Sequence, residues 1–127
     1  MKQKPAITIQ HIAPEEPSYP RELPALLAEA SAHLSCFGNV ALLSHQQIGL
    51  FCSVSCPGSL IVRACDVATA LRDAGTVVVG GFHSPVEKEC LGILLRGEQP
   101  IVICLARSLE TFRIPAAWKQ PLDSGRL

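Results

Sequence analysis

Two kinds of apolar spacing alternate through the middle of the chain. Compact runs of strand length occur as Gln47-Ile48-Gly49-Leu50-Phe51-Cys52, Thr76-Val77-Val78-Val79 and Ile101-Val102-Ile103-Cys104-Leu105. Between the first two, Leu60, Ile61, Ala64, Val67, Ala68 and Leu71 share one face of a helix that begins at Pro57 and is closed by Gly75. Between the second and third, Val86, Cys90, Leu91, Leu94 and Leu95 form the buried side of another helix, closed by Gly97. Its start is marked by Ser84-Pro85-Val86-Glu87, a capping box in which Ser and Glu satisfy each other's backbone donors. The unbroken β-branched run at 76–79 suits a strand covered on both faces. Strand, helix, strand, helix, strand with short joins predicts a single α/β domain: a Rossmann-like three-layer fold with a mostly parallel sheet and right-handed crossovers.

The flanks are less regular. Pro5, Pro14, Pro17 and Pro20, with an Ile7-Thr8-Ile9 fragment, make 1–20 an extended arm lying along a domain of residues 21–127. Leu23, Leu26, Leu27, Ala30 and Leu34 recur at helical spacing, predicting a short amphipathic helix over 22–34 with Pro24 in its first turn. Beyond Arg107 the pattern loosens through Leu109, Phe112, Ile114, Pro115 and Trp118. The ending, Gly125-Arg126-Leu127, resembles the approach to another strand, as in a chain truncated at its C-terminus.

Composition narrows the chemistry. The 127 residues suit one domain, and 48% apolar with 17% charged is a globular balance. Eleven basic residues against eleven acidic ones create no overall positive field, so any contact with DNA has to be local. The longest uncharged apolar stretch, 48–62, is interrupted by Ser53, Ser55, Pro57, Gly58 and Ser59 and is too short to cross a bilayer. No signal peptide is legible behind the first residues, so a cytoplasmic chain with reduced thiols is expected. Its six cysteines then read mainly as small hydrophobes. Cys52 and Cys56 with His83 lack the second ligand pair of a structural zinc site, so neither a metal nor a cofactor is expected.

In an open parallel sheet, ligands gather beyond the carboxyl ends of the strands. One loop there is Ser53-Val54-Ser55-Cys56-Pro57-Gly58, whose backbone N–H groups and following helix dipole favour an anion. A second is Gly80-Gly81-Phe82-His83-Ser84, where paired glycines permit close approach and His83 and Ser84 offer donors to a phosphate or ribose. Glu87 either joins Ser84 in capping a helix or turns toward a sugar hydroxyl or base edge. Arg107, just past the third strand, either supplies a fixed positive charge or is a solvated surface side chain. No G-x-G-x-x-G, no G-x-x-x-x-G-K-[ST] and no G-x-S-x-G is present, which weakens dinucleotide, ATPase and hydrolase readings and leaves no catalytic residue assigned.

These residues resemble the Rossmann core of the DNA-processing protein A (Smf/DprA) family. The likeness is carried by Gly38-Asn39, Ile48-Gly49-Leu50-Phe51-Cys52-Ser53, the helix closed by Gly75, the segment Val78-Val79-Gly80-Gly81-Phe82-His83-Ser84-Pro85-Val86-Glu87 and an upstream Tyr19-Pro20 pair. It spans roughly residues 14–110. Ser53 matches the family's serine, Gly81 its loop glycine and Glu87 its loop acid. Val54 stands where the family carries an arginine, Pro85 replaces a second loop glycine, and no histidine follows where the family's Ala-His pair would fall. The resemblance implies a non-catalytic module that binds single-stranded DNA or a nucleotide, with a recombinase or other protein as partner during DNA uptake, and self-association as a homodimer. A nucleotide-sensing domain of the wider superfamily is the alternative, as is a nucleotide or nucleoside-monophosphate hydrolase using His83 or Glu87. Every binding version requires Ser55 and His83 at the same end of the sheet with an open crevice between them.

Overall fold

The computed structural model describes residues 8–23 and 32–127. Three short parallel strands form its centre, β3 (Gln47–Gly49), β4 (Val77–Gly80) and β5 (Ile101–Ile103), in the order β3-β4-β5. Register pairs Ile48 with Val78 and Val78 with Ile101. Helices α1 (Gly58–Asp73) and α2 (Pro85–Leu95) connect them and pack against each other. The result is a mixed α/β fold with the strand-helix alternation expected of the middle of the chain. Strands β3 and β5 are shorter than the apolar runs that announce them, while β4 matches its run in length and is shifted by one residue. Leu50 still donates its N–H to the Val79 carbonyl at 2.9 Å, but Phe51 beyond it is 83% exposed.

Local chemistry explains both helices. The first ends in a Schellman motif: Thr76 N–H reaches Leu71 O, Gly75 N–H reaches Arg72 O, and Gly75 takes φ +72°, a conformation open to glycine without a Cβ penalty. The second begins with the expected capping box. Its far end is closed from a distance, because the Arg126 guanidinium donates to the carbonyls of Leu94 (3.0 Å), Leu95 (3.2 Å) and Gln99 (2.8 Å). Leu94 and Leu95 belong to the last turn of the helix, and Leu94 O accepts from Gly97 N–H and the Gln99 side-chain amide as well. Leu50, Ala68, Val78, Phe82, Val86, Cys90, Leu91, Leu94, Ile101 and Leu127 form the core.

Several elements have no counterpart in the sequence reading. Strand β1 (Gln10–Ile12) pairs antiparallel with β2 (Leu34–Cys36), so the arm is hydrogen-bonded to the domain. The helix expected over 22–34 has residues 24–31 outside the described residues, and Leu34, its expected last position, belongs to β2. A 3-10 helix (Val40–Ser44) follows, capped by the Asn39 side chain. Helix α3 (Ala116–Asp123) then leads into a terminus whose Arg126 carbonyl accepts from Ile101 N–H at 2.8 Å and whose Leu127 carbonyl accepts from Asn39 N–H at 3.1 Å. Edge strand β3 and the outer side of α1 expose Ile48, Leu60, Val62 and Val67. No helix among the described residues is long and apolar enough to cross a membrane.

Gly38 joins the terminus to the rest. Its φ is +99°, and a Cβ there would fall on the Leu127 carbonyl oxygen and lie 3.0 Å from the Leu122 side chain. Gly38→Ala is therefore expected to cost about 1–3 kcal/mol of stability through strain and displacement of the terminus. Urea denaturation of the purified variant against the parent checks this, and an unchanged midpoint would refute the account.

Candidate functional site

Because β3 and β4 run parallel, the loops that leave them open at the same end of the sheet. They are close neighbours there. A Cβ on Gly80 would lie 2.9 Å from the Leu50 carbonyl oxygen, a rigid main-chain atom, so only glycine lets the two crossings meet at that point. In the first loop, Leu50 is buried, while Cys52 and Cys56 pack half-buried against the core. This pattern turns Ser53, Val54 and Ser55 outward, all exposed. Helix α1 starts beneath them with Pro57 as N-cap, no side-chain capping bond and no acidic residue in its first turn. Its first amides and the positive end of its dipole therefore face the loop without an internal anion. Gly58 has no steric role, since a Cβ there would meet nothing within 4 Å.

The second loop divides its residues between surface and interior. Gly81 carries the His83 ring above it: a Cβ at 81 would approach Nε2 of His83 to 2.7 Å. His83 itself is exposed and has no hydrogen-bond partner among the described residues. Phe82 points the other way. Its φ of +53° lies in the left-handed region, uncommon for a bulky residue, and this turns the ring into the core at 5% exposure. Phe82 thus anchors the loop, and its side chain cannot line a crevice. Ser84 and Glu87 are also buried, at 4% and 7% exposure, and bind each other. Ser84 Oγ donates to the Glu87 carboxylate at 2.6 Å, Ser84 N–H donates to it at 3.2 Å, and Glu87 N–H donates back to Ser84 Oγ at 3.3 Å. Of the two roles open to Glu87, the structure shows capping, with one carboxylate oxygen engaged by both Ser84 donors.

Arg107 lies past β5, outside both loops in the chain. It is exposed and borders a cavity of about 950 Å³ whose described lining includes Val79, Val102, Leu42, Cys36, Cys104 and Trp118 but no residue of 53–58 or 80–84. This cavity was not anticipated. Its walls come from β2, the 3-10 helix and α3, which weak or very short patterns announce poorly, and only the spaced apolar residues after Arg107 hint at it.

A carboxylate acts on Cys52 in the first loop. Burial is the main cause that pushes the Cys52 thiol above its ordinary range, and the nearby Glu87 carboxylate, with Cys56 and Cys65, adds to it. Burial likewise pushes Cys90 up to about 11, reinforced by the facing groups Cys52, Cys65 and Glu87. An anion arriving here would be held by backbone dipoles and a histidine, without a cationic side chain from either loop. Among the described residues no three His, Cys, Asp or Glu side chains are arranged to hold a metal ion. No family model matches the chain, and no curated protein matches it.

Two outcomes follow for stability. Ser84→Ala removes the cap and leaves the buried Glu87 carboxylate without its hydroxyl donor, and is expected to cost about 1–2 kcal/mol in guanidinium denaturation. The folded chain also holds the Cys90 proton more tightly than the unfolded chain. That contribution is intact below the ordinary thiol value of 9.0 and is lost as pH climbs toward about 11. Melting temperature should fall across this interval, and less steeply in Cys90→Ala. Parallel curves for the two proteins would contradict the assignment.

Proposed function

We propose that the chain is a Rossmann-like binding module of the DNA-processing protein A type, holding phosphates of single-stranded DNA or of a nucleotide between residues 53–58 and Gly81–His83. The observation that carries the reading is the meeting of two strand-to-helix loops at one carboxyl edge, with the N-terminus of α1 lacking a side-chain cap beside them. Helix dipole and free amides favour a phosphate at such a point. Ser53, Ser55 and His83 add exposed donors around it.

The division of labour differs between the loops. Glu87 and Ser84 occupy the start of α2, so the anion belongs to α1. With Val54 in place of the family's arginine and Arg107 on the cavity, affinity rests on dipoles and is modest. The module binds without breaking bonds: the Glu87 carboxylate is engaged by Ser84 and His83 has no carboxylate to orient it. The same likeness to the family points to a recombinase as protein partner and to self-association, for which Ile48, Leu60 and Val67 offer apolar surface.

Thermal melts with AMP, ADP, GTP and a short oligodeoxythymidylate, followed by calorimetric titration of whichever raises the melting temperature, test the proposal. Saturation at about a hundredfold over Kd is worth roughly 2.7 kcal/mol, a shift readily seen. Ser55→Glu, which places a negative charge among the amides, should weaken binding by about tenfold, or ~1.4 kcal/mol. Binding of the oligonucleotide should fall as salt rises. If no phosphate compound shifts the melt, or if Ser55→Glu leaves affinity unchanged, the proposal is wrong.

A further inference from the structure

Phe51 is the most exposed large apolar side chain among the described residues. It stands where β3 gives way to the first loop. Exposure alternates there: Leu50 is buried, Phe51 exposed, Cys52 half-buried and Ser53 exposed, which puts Phe51 and Ser53 on the outer side of one extended segment. The ring does not trail into solvent. A Cβ at position 49 would lie 2.9 Å from its Cε2 and 3.6 Å from its Cζ, so the ring folds back over Gly49 at the end of β3, where glycine leaves it room. Among the described residues no strand of this sheet lies beyond β3. The outward side of the ring stays open.

The surroundings of the ring define what covers it. No charged side chain occurs from 48 to 62, so side-chain charge selects no guest at this spot. Ser53 follows with its Cα at most about 7 Å away, and beyond it comes the start of α1, which has no side-chain cap. A purely apolar guest spread over this edge would shut those first amides away from water without an acceptor. A nucleic acid meets both demands, with a base on the ring and a phosphate on the amides. The ring leans from the loop toward β3, and a strand, which carries a base on either side of each internal phosphate, spans the two better than a mononucleotide does. We infer that Phe51 is a stacking platform for a base of single-stranded DNA whose backbone phosphate lies at the start of α1; this rests on the phosphate reading above and adds the base to it. Every base has a π-face, so the platform favours single strands over bare phosphate without reading their sequence.

Calorimetric titration of the full chain with an oligodeoxythymidylate, and with an abasic deoxyribose-phosphate strand of the same length and charge, tests the inference in the parent, Phe51→Ala and Phe51→Leu. The parent should hold the base-bearing strand about tenfold tighter than the abasic one. Both variants should lose this preference, since leucine keeps apolar bulk without a π-face, while their affinity for the abasic strand and their melting temperature stay at the parent's values. Equal affinities of the parent for the two strands would overturn the platform and leave the phosphate reading standing, whereas a parent that binds neither strand removes both. A preference that survives in the two variants, or an equal weakening of both strands, also overturns it. So does a parent that elutes as a dimer in size-exclusion chromatography and becomes a monomer in Phe51→Ala, which would give the ring to a second copy of the chain.

Discussion

The carbonyl oxygen of Leu50 occupies the place where a side chain at position 80 would have to be, and this contact governs the carboxyl edge of the sheet. With glycine at 80, the first loop and the second leave the sheet side by side. Leu50 and Phe82 then anchor one loop each in the same core. A methyl group at 80 would drive the crossings apart and take both anchors with it. The amides, the histidine and the uncapped start of α1 share one neighbourhood as a consequence of this backbone approach, with no contribution from attraction between charged side chains.

What the sequence made legible is what short-range chemistry decides. The capping box of α2 is contained in four consecutive residues, and the β-branched run of β4 names a strand covered on both faces without reference to anything distant. The parallel sheet follows from their alternation. The strands β1 and β2 are three residues each, too few for a period of two to stand out, and they pair across a long intervening segment. The Asn39 amide that reaches Gly125, and the guanidinium of Arg126 that closes α2, are likewise contacts between residues far apart in the chain. Nothing local announces them.

The candidate site divides along the same line. Ser53, Ser55 and His83 lie exposed in the loops where the alternation of elements put them. Phe82 looked like another loop residue, but a positive φ, invisible in composition, turns it inward. Arg107 follows its strand closely, yet it borders the cavity, because side chains a few positions beyond a strand end are aimed by the path of the loop and its packing. The Glu87 carboxylate held by helix capping acts on Cys52 of the first loop, and the uncapped start of α1 is the part of this edge whose dipole favours an anion. Helix capping and phosphate recognition draw on the same kind of backbone donor; capping has taken the start of α2 and leaves the start of α1 without a side-chain cap.

The single tryptophan of the chain lies beside the cavity, tilted at 35° to Phe112 with ring centroids 5.4 Å apart. Its ultraviolet emission therefore registers the packing of α3 and the surrounding wall. The loops that gather at the other site contain no indole, so the two regions are spectroscopically separable by nature: a change of colour or intensity in this protein is news from the cavity.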